Sequence, residues 1–415
     1  VTYCYDNLNK RINMEFNFDE LYKIPIWYLR LNRSYPDIPR DMKWGFQFFI
    51  IQGLCTTTFF VLVNSIIFYD EDLTEICYKG TLAVFAFVIT FVYCVLLTHQ
   101  KTIWSLIEKI KEDYKVMEGL QLADQKAAFY YINKVRLVAN AWNIIVLPSA
   151  LLFPLKSVVL MVYNYMEGKF KPIPIIQPIT YPAALEAVRD DLIPFTAVYL
   201  ISLWYTAYTA SMYIGFAPIG PILMSHACAK LEIVKLRIKE LFLDDDDDEQ
   251  TDEKLRHVIG SLQDTYSLRS LYEMSLKVMT FTIPIAAFQI IETFRKTGLL
   301  SLEFITILVG CFVLSAFPCY FGELLIQQGE GVREAVYASG WERRWRRRQR
   351  TTVLALLTRT TRPVGLYTMF RVLSLDALSE VCFVIYTKTH ASLSLHIICP
   401  APRLCLSVRY KLKNY

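Results

Sequence analysis

The sequence predicts an all-α polytopic membrane protein of about seven transmembrane helices, with its N-terminus inside and helices that continue well into the cytoplasm. Three observations carry that prediction. First, 54% of the 415 residues are hydrophobic and the mean hydropathy is +0.31, above the ~45–50% apolar share of an ordinary soluble chain. Second, the excess is gathered into runs of roughly 17–26 residues, the length a helix needs to cross a ~30 Å hydrocarbon core. Third, Lys and Arg alternate between rich and poor segments along the chain, as the positive-inside rule requires.

Taken in order, the expected spans are Trp44–Tyr69, Thr81–Leu97, Leu137–Tyr163, Ile193–Phe216, Leu276–Ile291, Phe304–Ile326 and a weak last one at Leu373–Tyr386. Lys277 and Lys156 lie near span ends, where a long side chain snorkels to the interface. Pro148, Pro154 and Pro284 are interior to spans and imply kinks, since packed neighbours can satisfy the carbonyls they free. The segments 1–43, 98–136, 224–274 and 327–350 hold 28 Lys and Arg against 6 in 70–80, 164–192 and 292–300. That asymmetry puts the N-terminus inside and, with seven spans, the C-terminus outside, the reverse of a G-protein-coupled receptor. Ile103, Leu106, Ile107 and Ile110 recur at helical spacing, so 98–136 reads as an amphipathic helix, and 225–274 alternates apolar and charged positions around an acidic break. Three regions result: a cytoplasmic N-terminal segment 1–43, a seven-helix receptor or channel domain 44–386, and an atypical tail 387–415.

The remaining features exclude more than they assign. A net charge of +5, with no basic stripe interleaved with stacking aromatics, gives no reason to expect nucleic acid. Catalytic and nucleotide motifs are missing, and His99, His226, His257, His390 and His396 have no metal-ligand spacing, so no enzyme and no cofactor are expected. The ten cysteines are scattered without C-x-x-C pairs, and Cys55, Cys94, Cys311 and Cys319 sit in apolar runs as small packing residues. The run Asp244–Glu249 reads as a solvated loop, and the arginines from Arg343 to Arg350, interleaved with Trp345, read as topogenic charge or, alternatively, an anionic-lipid contact. Glu323 is interfacial, and the sequon Asn32-Arg33-Ser34 falls on the cytoplasmic side. The chain begins at Val1 and shows no cleavable signal before its first span, so a missing N-terminal stretch is expected and the first span must act as its own insertion signal.

Tyr199, Trp204, Tyr205 and Tyr208 crowd neighbouring faces of the fourth span, where an aromatic cleft between helices could take a small lipophilic ligand. Farther on, Phe317-Pro318-Cys319-Tyr320-Phe321-Gly322-Glu323, Ala335-Val336-Tyr337 with Trp341, Arg362-Pro363 and Ser374-Leu375-Asp376 form an ordered set. It resembles the C-terminal signature of insect odorant receptors, and looser likeness extends over 40–381. The resemblance implies a ligand-gated, non-selective cation channel in the plasma membrane of an olfactory neuron's dendrite. It also implies a hetero-tetramer in the lipid bilayer, built from an odorant-tuned subunit and a shared co-receptor, with a small hydrophobic odorant as ligand. Carried over by position, Phe87, Phe153, Tyr199, Trp204, Tyr205 and Phe304 are cleft candidates in the outer half of the bundle, and Ser374, Asp376 and Val381 are candidates for the pore lining. The sequence departs from that pattern after Val381. Cys382–Tyr415 carries Lys388, His390, Pro400 and Pro402 in place of the family's apolar helix end, so this form is expected not to conduct. A gustatory-type receptor channel shares the topology, and a multi-span transporter is the alternative from another class, though no internal repeat of the spans supports it.

Overall fold

Of the segment 1–43, expected as a cytoplasmic lead-in to the spans, residues from Phe16 onward pack into the bundle core. The computed structural model describes residues 16–68, 73–168, 191–240, 302–343 and 347–360, with isolated positions 253, 256, 259, 374–376 and 379. Two short helices come first, α1 (Phe18–Leu21) and α2 (Lys23–Leu31). Asn17 caps α1 by accepting from the Asp19 amide at 3.1 Å, a standard use of a short polar side chain at a helix start. Asn32 follows α2 and is buried, and its carbonyl accepts from the Ser211 hydroxyl at 3.0 Å. A glycan has no room there, so an unmodified Asn32 carries no information about orientation.

α3 (Met42–Phe68) starts where the Asp41 carboxylate takes the Trp44 amide at 2.7 Å, and runs 27 residues, about 40 Å at 1.5 Å per residue. α4 (Leu73–Thr98) returns beside it. After His99 the chain turns through 72° into α5 (Gln100–Glu118). Arg40 donates to the Leu97 carbonyl at 2.7 Å and Gln100 to the Pro36 carbonyl at 2.8 Å, which ties this corner to the N-terminal segment. α5 buries Ile107, Ile110, Tyr114 and Met117 along one face; of the expected stripe, Ile107 and Ile110 are in it, and Ile103 and Leu106 pack partly buried against the core.

The amphipathic stretch 98–136 is two helices rather than one. Gly119 and Leu120 close a turn on Val116 and Met117, and the Gln125 amide caps the Glu118 carbonyl at 2.6 Å. α6 (Leu122–Met166) then runs 45 residues with Pro148 and Pro154 inside it, about 68 Å. Its first half buries Ala128, Ile132, Val135 and Trp142, whereas its second half leaves Leu147, Leu151, Leu155 and Val159 exposed. α7 (Leu192–Phe216) shows the reverse order, buried only from Tyr208 onward, and α8 (Ile219–Glu240) continues the buried path. α9 (Leu302–Tyr337) holds Pro318, a 3-10 turn spans Trp341–Arg343, and α10 (Arg347–Thr360) follows.

Among the described residues, Met42–Ile67, Leu122–Met166 and Leu192–Lys239 are long and apolar enough to cross a membrane. The expected second and sixth spans are unbroken helix within α4 and α9. The fifth, Leu276–Ile291, lies outside the described residues, as does most of the seventh.

The core sits at the polar end of the bundle, where α1, α2, α5, α8 and the adjoining halves of α6, α7 and α9 meet. Phe16 and Phe18 pack edge-on or tilted against Tyr114, and the Tyr22 and Tyr114 hydroxyls lie 3.2 Å apart. Burial pushes both phenols above their ordinary value, so both stay protonated donors. Tyr131 of α6 accepts from Gln328 of α9 at 2.6 Å and donates toward Glu232 of α8, which Lys235 bridges at 2.6 Å. Asp113 of α5 takes His226 at 2.9 Å and Lys230 at 3.0 Å, both from α8. Burial by itself would raise the Asp113 carboxyl, but the hydrogen bonds from His226 and Lys230 and the Lys230 charge outweigh it and hold the carboxyl below its usual range. Burial also lowers His226, against the pull of Asp113. The imidazole is therefore neutral, with Nε2 donating to Asp113 and a buried Nδ1 that has no partner among the described residues.

A candidate ligand cavity

Five helices converge in the apolar half of the bundle without filling the space between them. The gap is a cavity of about 160 Å³ bounded by α3 (Thr58, Leu62), α4 (Leu82), α6 (Trp142 to Phe153), α7 (Tyr205 to Tyr213) and α9 (Thr306, Gly310, Leu314). The lining residues on each helix follow one face, for instance Trp142, Ile145, Val146, Ser149, Ala150 and Phe153 on α6, the i, i+3, i+4 rhythm of a helix side. Small residues, Ala150, Ala210 and Gly310, open the volume. A Cβ built on Gly310 meets nothing within 4 Å.

The wall is apolar and its hydroxyls are quiet. Thr58, Ser149, Thr206 and Thr209 each donate to the carbonyl four residues back, at 2.7–2.8 Å, the usual resort of a hydroxyl in a helix away from water. At one end Trp142 donates from Nε1 to the Tyr213 carbonyl at 2.9 Å and its ring meets Phe317 edge-on. Pro318, four residues after Leu314, continues the face of Thr306, Gly310 and Leu314 at four-residue spacing. Among the described residues no charged side chain lines the cavity. The arrangement can hold a small apolar molecule by dispersion and burial, and offers no acid, base or nucleophile pair for chemistry.

Phe153 and Tyr205, two of the six expected cleft residues, line this cavity. Tyr199 stands beside it, in a small cluster with Phe153, Leu62 and Ala83. Trp204 is not on the lining: it is 40% exposed and stacks on Tyr208 at 5.6 Å. Phe87 is 53% exposed, between Phe59 and Phe91. The backbone of Phe304 lies in the first turn of α9, and its side chain is outside the described residues. Of the pore candidates, Ser374 is half-buried and Asp376 exposed in an isolated turn, and Val381 lies outside the described residues. Sequence reasoning passed over Trp142, Thr206, Thr209 and Gly310. Hydroxyl and small residues recurring at helical spacing inside a span were the available signal.

The comparisons with known proteins fit this geometry. A family model described as 7tm Odorant receptor matches residues 72–386. The insect olfactory receptor OR5 from Machilis hrabei, solved in complex with eugenol, has a similar fold, with a TM-score of 0.73, 16% identity, and coverage of 91% of this chain and 98% of that one. A second structure of the same receptor gives a TM-score of 0.70 at 14% identity over 90% and 97% of the two chains. No curated protein matches the chain. With the family model covering most of the sequence, the chain belongs to the 7tm odorant receptor family.

Proposed function

We propose that the chain is an odorant-tuned subunit of a ligand-gated, non-selective cation channel, and that the cavity between α3, α4, α6, α7 and α9 is where its odorant binds. The observation that carries the reading is an apolar, multi-helix cavity in a chain of this family. Its volume is that of a one-ring ligand, since an engineered apolar cavity of about 150 Å³ takes up benzene. The similar receptor OR5 is described in complex with eugenol, which supports a small odorant here. In this reading the polar end of the bundle is cytoplasmic, as the loop charges require, and the protein resides in the plasma membrane as seven spans. It assembles with the family's co-receptor as a hetero-tetramer, with Ser374, Asp376 and Val381 toward the pore.

The C-terminus qualifies the channel role. Leu373–Tyr386 includes Asp376 and Glu380, and its ~14 residues span only ~21 Å as a helix. Extending it draws Lys388 toward the membrane at about 2.5–3.5 kcal/mol on the insertion scale. This form therefore does not conduct, and a form with the family's apolar ending does.

The test is current recording from cells that express the conducting form with the co-receptor, challenged with one-ring volatiles. A Gly310→Leu variant, which fills the cavity, should lose the response while its surface amount is unchanged. An undiminished response in that variant would place the odorant elsewhere.

A further inference from the structure

The prolines of α6 and α9 bear on what the cavity prefers. Proline has no amide hydrogen, and its ring pushes away the carbonyl four residues earlier. Pro154 thus leaves the Ala150 carbonyl, and Pro318 the Leu314 carbonyl, without its intrahelical donor, and both Ala150 and Leu314 line the cavity. The third proline, Pro148, frees the carbonyl of Ile144, a residue exposed on the outer face.

The lining side chains lean the same way. The protons of Thr58, Ser149, Thr206 and Thr209 are committed to their own helices, so these hydroxyls turn only lone pairs outward. The indole N–H of Trp142 is committed to Tyr213. Tyr205, Tyr213 and Thr306 also lie on the lining, and of these Tyr213 and Thr306 are already engaged. Acceptors are therefore offered from α3, α6, α7 and α9, while donors are few.

We propose that the cavity selects small hydrophobic molecules carrying a hydrogen-bond donor, alcohols and phenols, over ketones and aldehydes of the same skeleton. This rests on the cavity being the odorant site, and names the ligand class it takes. A ligand hydroxyl entering from water exchanges its hydrogen bond for one to a proline-freed carbonyl. A ligand ketone gives up its hydrogen bonds to water and meets mostly other acceptors, the costly case of a buried polar group left unpaired.

The test compares 1-phenylethanol with acetophenone, which share one heavy-atom skeleton, for binding to the full chain in lipid nanodiscs. The alcohol should bind about tenfold more tightly, the ratio expected for one unmet hydrogen bond. Thr206→Val with Thr209→Val, and separately Pro154→Ala with Pro318→Ala, should each bring the ratio to about threefold or less without lowering the unfolding midpoint in step. Equal binding of the two compounds, both lost in Gly310→Leu, overturns the donor preference and leaves the cavity as the odorant site. Equal or better binding of acetophenone, or a ratio unmoved in both sets of variants, overturns the preference as well. Binding of both compounds that survives Gly310→Leu overturns the site and the preference together.

Discussion

The two ends of the bundle obey different packing rules. At the polar end, α8 is almost wholly buried, and the described window of Leu192–Lys239 is 89% buried within the chain. In the apolar half the corresponding windows of Met42–Ile67 and Leu122–Met166 are 17% and 6% buried, although these are the more hydrophobic sequences. Water explains the first end and lipid the second. Helices that leave the bilayer must hide their apolar faces in a core of the soluble kind, with polar groups paired across helices, as Tyr131, Gln328, Glu232 and Lys235 are. Inside lipid, tails are as apolar as leucine, so side chains gain little by turning inward. A gap between helices is then tolerable, and the cavity lies in that half.

The largest expected effect that sharpens this contrast is a pair of truncations. Phe321→Ala removes a fully buried ring from the polar-end core, and should cost about 3–5 kcal/mol. Leu151→Ala, at a residue 56% exposed on α6, should change stability by less than about 0.5 kcal/mol. Chemical unfolding of the two variants in one detergent compares them directly, and similar losses would mean the apolar half is packed as tightly as the core.

Two glycines give the same substitution opposite signs. A Cβ on Gly215 would meet Leu29 at 2.9–3.2 Å, including the Leu29 backbone amide, because α2 lies tight on α7 there. Gly215→Ala should therefore destabilise by about 1–3 kcal/mol. Gly310 has open space at the cavity, so Gly310→Ala should stabilise by about 0.4–1 kcal/mol through the helix preference alone. Thermal unfolding midpoints moving in the same direction would contradict the assigned packing at one of the two sites.

The smallest effect is pH dependence confined to the polar end. His226 faces Asp113, Lys230, Lys109 and the Tyr114 ring, and burial holds it below its ordinary value of 6.5. A base whose folded value is depressed binds fewer protons folded than unfolded. Its contribution is thus fully present above pH 6.5 and is lost as pH falls from there toward the folded value, at no more than about 1.4 kcal/mol per pH unit. His226→Gln should remove that acid-side slope, and a slope unchanged in the variant would assign it to another group.

Much of the fold was legible because span length and loop charge are coarse signals. α3, α6 and α7 contain the expected apolar runs, and Ile107 and Ile110 of α5 were readable as part of the apolar face of an amphipathic helix. The break at Gly119 was harder, since glycine is tolerated within helices and the cap from Gln125 depends on the fold. The cavity was legible only in part. Trp204 and Tyr205 are adjacent in sequence and differ by ~100° around α7, and nothing local decides that Tyr205 turns inward while Trp204 stacks outside on Tyr208. That choice depends on where α3, α6 and α9 stand. The N-terminal segment's place in the core was likewise hidden, because Phe16, Phe18 and Tyr22 are too widely spread to form a recognisable pattern before Tyr114 is brought to them.

A ligand cavity in the apolar half should fill without drawing on the polar-end core. The most direct test is the unfolding midpoint of the full chain in nanodiscs, measured for the original sequence and for Gly310→Leu, each with and without saturating 1-phenylethanol. A ligand present at about a hundred times its dissociation constant stabilises by about 2.7 kcal/mol, so the original chain should shift upward on adding it. Gly310→Leu should match or exceed the ligand-free midpoint of the original and show no further shift. A variant that melts well below the original, or that shifts with ligand as much as the original does, would contradict the cavity.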